Sequence, residues 1–453
     1  MLQGHPSQFW AHLYDGLRAD GHVVKKINLC LADQIYWGGR PSTSYRGRYA
    51  KWRDWLRAYL VREGITDILY YADRLPYHAD AHDVSKDLDI RCWAIEFGYL
   101  RPDWLTLEPD GMGALSTFPR NRADVQRMAQ STPKPDMEVR YTHDFPTEAF
   151  HEVTFNLLQT FGRPFYPLYF SDKIYWPVID YLSWLGELAR DRGRQRDAHR
   201  LQDQAVAGEI EYNLVAMQLQ ADYQIRASSP YTHLMDFLEE VMVSFAHHAP
   251  QHRQLLIKLH PLDNGLERWF RRVPALARKH GLSDRVKIFR GGELGVFLKH
   301  SKGVALVNST VGIHALRAGV PAFVAGNAIF DIEGLTHQSG LDTFWSAPAA
   351  VDRTFFAEFE RALGQFQVKG SFFNPEGRQA AIKTIRSKFK QPIDLRVLDD
   401  ETAMPRKQRQ TENEHEDAES DGVGKYHETP IINGVECPVR LPGDVYERVQ
   451  NQD

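Results

Sequence analysis

The stretch from Ala305 to Thr336, ALVNSTVGIHALRAGVPAFVAGNAIFDIEGLT, constrains the fold more than any other part of the chain. It opens as an apolar run of strand length and stops abruptly at Asn308-Ser309-Thr310. After Gly312 it resumes as a helix-like HALRAG, and a second apolar run, AFVAG, follows. A strand that ends in Asn-Ser-Thr-x-Gly and turns into a helix is the signature of a β/α unit. It also builds an anion site, because the hydroxyls and the first-turn N–H groups point one way, where the helix dipole favours negative charge. The same Ser-Thr pair serves equally well as a plain helix cap. Upstream, LLIKLHP (255–261) is another apolar run, closed by Lys258, His260 and Pro261. Lys258 and His260 are two residues apart, so strand alternation places them on one side. Two strand ends with phosphate-compatible groups predict a nucleotide site at the crevice of an open α/β sheet.

The alternation extends through most of the 453 residues, more than one core usually spans. Residues 9–22 carry helical spacing, 22–30 read as a strand, 47–63 as a helix, and 66–73 and 90–100 as strands. The opening MLQGHPSQFW is peculiar, since Met1-Leu2 runs at once into a polar loop; either the first strand is very short or the chain starts later than its relatives. Residues 146–205 read as helical, with a polar second part that closes the first domain. A second series begins at 212–220 and continues through strands at 255–259, 285–289 and 304–308, with helices at 232–247, 266–280 and 376–389. Two Rossmann-like domains, 1–205 and 206–395, facing a cleft are the GT-B glycosyltransferase architecture in the α/β class. Residues 396–453 are low in hydrophobicity and mixed in charge, a disordered composition, although 428–441 are apolar enough to dock.

Charge and cysteine usage exclude several classes. Against 55 basic residues stand 59 acidic ones, a net charge of −4, so no global field attracts nucleic acid. Cys30, Cys92 and Cys437 are scattered without metal-ligand spacing, which fits a reducing compartment. No signal peptide or membrane-spanning run is visible, so a cytoplasmic protein is expected, free to rest on a membrane surface. Asp87-Leu88-Asp89 is the nearest approach to a metal motif and reads better as a polar turn before a strand. The cluster Tyr49, Trp52, Trp55 and Tyr59 suits sugar faces, but its spacing is more often helix core.

Taken together, GHPSQFW near the start, DRLPYH (73–78), EFGYLRPDWLTLE (96–108), QLQADYQI (218–225), SFAHHAP (244–250), KLHPLDNG (258–265), the 305–336 stretch, LDTFW (341–345) and GSFF (370–373) form a combined pattern. In these pieces the chain resembles the capsule-polysaccharide β-Kdo transferases of the KpsS type. The resemblance implies CMP-β-Kdo as donor and a phosphatidylglycerol-type lipid as acceptor, starting the linker of an exported capsule. It also implies a peripheral location at the inner membrane, other capsule synthesis and export proteins as partners, and no cofactor. A wider similarity is to the bacterial sialyltransferases, which use CMP-sugars on a GT-B frame through an acidic-acidic-Gly motif, an HP motif and a Ser-Ser or Ser-Thr motif. Here these fall on Glu96-Phe97-Gly98, His260-Pro261 and Ser309-Thr310. Many relatives carry a second carboxylate where this chain has Phe97, which leaves Glu96 as the only carboxylate of the motif.

On this resemblance the first domain holds the acceptor side and the second binds the CMP-sugar. Glu96 takes the proton of the attacking hydroxyl, with Asp73 as the alternative base. His260 donates a hydrogen bond or a proton to the leaving phosphate, while Lys258, Pro261, Asn308, Ser309, Thr310 and Gly312 complete the donor site. His5, Arg74, Tyr77, His78, Arg101, Gln218 and Asp222 are carried over by motif position as second-rank site residues. No metal is required, because CMP is already a stabilised leaving group. Two other readings stand beside this one: a transferase for another CMP-sugar, such as a sialic acid, and a non-catalytic scaffold of capsule assembly and export.

Overall fold

The structure, a computed structural model, describes residues 1–390. The expected tail, with Cys437, lies outside the described residues. Two α/β units face each other across a cleft, the GT-B arrangement. In the second unit all five strands are parallel, in the spatial order Ala322–Val324, Val304–Leu306, Tyr212–Ala216, Gln254–Lys258, Val286–Phe289. The chain therefore starts in the middle of the sheet, winds to one edge, and returns to build the other half. The switch of direction lies between Tyr212–Ala216 and Val304–Leu306, where the following loops diverge and leave a crevice. Four of the strands are buried on both faces and read as apolar runs, while the edge strand Val286–Phe289 is half-buried.

The first sheet is mixed, unlike the expected Rossmann half. Asp67–Tyr70 and Arg91–Phe97 are parallel, but Trp104–Pro109 and Gln367–Lys369 are antiparallel additions. The expected strand at 22–30 shrinks to Ile27–Asn28, paired with Thr43–Ser44. Between the two sheets lies Met1–Gln3: Leu2 N–H donates to the Leu69 carbonyl, Tyr71 N–H to Gln3 and Ile27 N–H to Met1. Met1–Gln3 is thus an extended segment outside the assigned strands, and a buried charge holds it. The Lys26 ammonium donates to the Leu2 and Ile27 carbonyls at 3.1 and 2.8 Å and pairs with Asp33 at 2.7 Å. Removing either partner of such a pair typically costs about 3–5 kcal/mol, because a buried charge is left alone.

Two expected domain limits shift. Helix Pro177–Val206 does not close the first unit; it packs along Leu294–His300 and Val286–Phe289 of the second. Beyond about residue 353 the chain leaves the second unit. Helix Arg353–Leu363 packs on Arg122–Ser131, strand Gln367–Lys369 joins the first sheet, and Pro375–Lys390 lies on Phe9–Ala19. Phe355 and Phe359 bury fully in this crossing. The aromatic cluster is core: Trp52 is fully buried, packed on Tyr45, Trp55 and Tyr77. Cys30 and Cys92 are buried free thiols.

Candidate active site

Strand Arg91–Phe97 delivers Glu96 to the cleft, and the residues after it set the local geometry. A Cβ on Gly98 would sit 2.4 Å from Gln367 Oε1 and 2.8 Å from the Trp104 backbone, so only glycine lets the antiparallel strands approach here. The Gln367 amide oxygen accepts the Tyr99 N–H at 2.8 Å and locks the turn. From the second unit, Gln218 and Asp222 follow the central strand and Asn308, Ser309 and Thr310 follow its neighbour across the switch point. His260 follows the next strand on the other side. All of these, with Arg101, line one cleft of about 190 Å³ between the two units.

The electrostatics of the two walls differ. Glu96 is half-buried in the cleft wall, and desolvation, then the nearby Asp73 and Asp222 carboxylates, push its pKa up to about 8. Asp73 is itself buried, its carboxylate accepting the Met112 N–H at 2.7 Å, and burial raises its pKa. Behind Glu96 stands a second buried acid, Glu108, raised to about 7 by burial. It accepts hydrogen bonds from Thr106, at 2.9 Å, and from Ser116. Opposite, burial and then Arg101 lower the pKa of His260 to about 4, so its ring is neutral near pH 7. Its Nδ1 accepts the Leu262 N–H at 3.1 Å, which places the proton on Nε2 and makes that nitrogen a donor. Arg101 makes no ion pair with any described residue, and its guanidinium lies over the Phe97 ring at 5.2 Å.

Other anticipated residues support the cleft from behind. Asn308 Nδ2 donates to the Gln224 and Ser228 carbonyls at 2.8 and 3.2 Å, and its Oδ1 accepts from Gln218 at 3.0 Å. It ties the 218–228 loop to the switch point. Asp222 caps the short helix Tyr223–Arg226 through the Gln224 N–H at 2.9 Å. The turn around Pro261 is set by Arg290, which donates to the Pro261 carbonyl at 2.7 Å and pairs with buried Glu187 at 2.8 Å.

Several expected members do not line the cleft. Lys258 bonds the Gly291 carbonyl at 2.6 Å, above the Phe289 ring, because the strand ends at Lys258 and alternation no longer relates it to His260. Gly312 answers to packing: a Cβ there would sit 2.3 Å from the Phe330 ring. His5 is buried and stacks on Phe372 at 4.1 Å, edge-on to Phe97. Tyr77 belongs to the aromatic core, His78 binds the Ala72 carbonyl at 3.0 Å, and the Nε of Arg74 is buried without a hydrogen-bond partner. Asp87 pairs with Arg57, and Asp89 takes a positive φ of 53° in the turn before Arg91.

Reading by sequence missed Glu108, Arg120 and the loop 327–330. The alternation in Trp104–Pro109 was the available signal for Glu108, since Thr106 sits opposite Glu96 and Glu108 opposite Ala94. Arg120 carried no local signal; its guanidinium donates to Gly113 of the first unit and Ala328 of the second, both at 2.6 Å, and so bridges the cleft.

Two α/β units facing a cleft, with phosphate-compatible groups at the switch point of one and a carboxylate at a strand end of the other, define the class as a GT-B protein. The family described as capsule polysaccharide biosynthesis protein matches residues 66–373, and the chain belongs to it. It is 30% identical to the capsule polysaccharide export protein KpsS of Escherichia coli, over 80% of this chain and 93% of that one. It is 29% identical to the capsule polysaccharide modification protein LipB of Neisseria meningitidis serogroup B, over 83% of this chain and 91% of the other. Among solved structures it is similar to the β-Kdo 2,7 transferase KpsC of Thermosulfurimonas dismutans, at 15% identity and a TM-score of 0.38, over 78% of this chain and 92% of that one.

Proposed function

We propose that this protein transfers β-Kdo from CMP-Kdo to a phosphatidylglycerol-type lipid and so initiates the linker of a capsular polysaccharide. The observation that carries the reading is the opposition of Glu96 to His260, Ser309 and Thr310 in one cleft, within a chain of the capsule polysaccharide biosynthesis family. The acceptor hydroxyl adds to the anomeric carbon on the face that CMP leaves, so that a β-donor gives a β-product, as its proton passes to ionised Glu96. The bond from that carbon to the phosphate oxygen breaks, and CMP leaves with the electron pair. A base with a pKa near 8 is matched to this task at neutral to mildly alkaline pH. The His260 Nε2–H and the hydroxyls of Ser309 and Thr310 stabilise the charge that develops on the phosphate. With a neutral ring, His260 acts as a hydrogen-bond donor more than as an acid. Arg101, free of any carboxylate partner among the described residues, suits the carboxylate of Kdo or the donor phosphate.

The reaction runs without a metal in this reading, and the protein works peripherally at the inner membrane beside other capsule synthesis and export proteins. The test is mass spectrometry of the product formed from CMP-Kdo and a fluorescent phosphatidylglycerol analogue, with and without EDTA. Transfer that persists under chelation supports the reading. Transfer only from another CMP-sugar redirects it to a sialic-acid-like donor. Neither transfer nor donor hydrolysis identifies a scaffold of capsule assembly, the reading favoured by Phe97 in place of a second carboxylate.

A further inference from the structure

A second cavity, of about 670 Å³, adjoins the cleft, and Phe97 and Leu219 line both. Its other walls come from helix Phe145–Phe161, from helix Pro177–Val206 and from the loop after His260. At its outer end Phe145 and Leu188 line the cavity and are also 60% and 63% exposed, so the mouth opens through an apolar rim. That rim continues outward. Trp176, Ile179, Leu182 and Leu185 are between 52% and 65% exposed, a run that a water-facing helix does not carry. The same helix then changes character: Arg190, Arg192, Arg196 and Arg200 are all exposed along its second half.

Apolar side chains with a tryptophan at one end and arginines at the other match a bilayer in cross-section. The leucines enter the acyl boundary, the indole sits at its edge, and the guanidinium groups meet anionic headgroups. The segment also bridges both units, through Asn264 to Asp180 at 2.8 Å on one side and Phe170 N–H to the Tyr77 hydroxyl at 3.0 Å on the other. We propose that the face formed by Trp176, Ile179, Leu182 and Leu185 seats the protein on an anionic lipid bilayer, and that the cavity behind it carries a lipid acceptor's chain from that surface to Glu96. The seating is read from the surface alone; the role of the cavity rests on the transferase reading.

The test is flotation of the full chain with phosphatidylcholine vesicles with or without phosphatidylglycerol, using wild type, Leu182→Glu/Leu185→Glu and Arg192→Glu/Arg196→Glu. Wild type is expected to float with the anionic vesicles. The leucine variant should lose roughly ten-fold or more of its bound fraction while melting and hydrolysing donor as wild type does, since neither leucine lines the cleft or the cavity. The arginine variant should lose the preference for phosphatidylglycerol. Wild type that stays unbound at every composition overturns the proposal, as does a leucine variant that binds undiminished. So does a wild-type dimer in light scattering that the leucine variant dissolves, which assigns the face to a second copy. Vesicle binding without transfer to any lipid breaks the transferase reading and leaves the seating intact.

Discussion

The two walls of the cleft are built from opposite materials. The first unit presents acids, half-buried Glu96 with buried Asp73 and Glu108 behind it, whose pKa values all rise. The second presents mainly neutral donors at the ends of parallel strands, His260, Ser309 and Thr310, with one acid, Asp222, beside them. In the proposed transfer, one wall exchanges a proton at mildly alkaline pH, and the other receives negative charge without His260 titrating near neutrality.

The largest effect that can break this contrast is Glu96→Gln. It keeps size and hydrogen bonding but removes the proton acceptor, so transfer should fall by about 10²–10⁴-fold with CMP affinity preserved, read by turnover and calorimetry. Near-normal transfer moves the base to Asp73. On the opposite wall, His260→Ala should slow turnover by on the order of 10²-fold and also weaken CMP, because the lost donor serves bound nucleotide and transition state alike. Unchanged kinetics in a folded variant leave His260 a merely structural part.

A third experiment sharpens the electrostatics. Glu96 works as a base only when ionised, so kcat/KM should climb with pH and level off above about 8. Asp73→Asn removes a nearby negative charge, which favours the ionised form. The climb should move to lower pH, giving a several-fold gain in relative rate near pH 7. An unmoved profile uncouples the two acids. Stability runs the other way. A carboxyl whose pKa is raised on folding stabilises the native state below its ordinary pKa, and that contribution is lost as pH rises through the folded value. The Glu96 contribution to melting temperature, read as wild type minus Glu96→Gln, should therefore decline between about pH 4.5 and 8. The smallest effect is Gly312→Ala. Its methyl meets Phe330, so a loss of about 1–3 kcal/mol in denaturant melts is expected, with CMP affinity in the surviving folded protein close to normal. A selective loss of affinity returns Gly312 to the donor site.

The parallel second unit was legible almost strand by strand, because strands buried on both faces read as apolar runs and each stops at a polar turn. The cleft residues that follow those strands were legible for the same reason. The first unit was harder. Trp104–Pro109 pairs antiparallel and alternates, a pattern easily taken for part of a motif. Gln367–Lys369 is short and pairs with strand Trp104–Pro109, far away in sequence. Met1–Gln3 is too short to carry any period, and only Lys26, buried beneath it, and its flanking strands hold it extended.

Sequence by itself determined the alternation of elements, the positions where strands end, and the chemical types that gather there, because these depend on neighbours a few residues apart. Tertiary structure decided which of those groups share a space. It turned Lys258 toward Gly291 while His260 lined the cleft with Glu96, gave Gly312 to Phe330, and raised Glu96 by desolvation and three further carboxylates. It also set Leu182 and Leu185 facing outward beside a cavity that reaches the cleft. Burial and charge proximity are sums over residues distant in the chain, and no local pattern contains them.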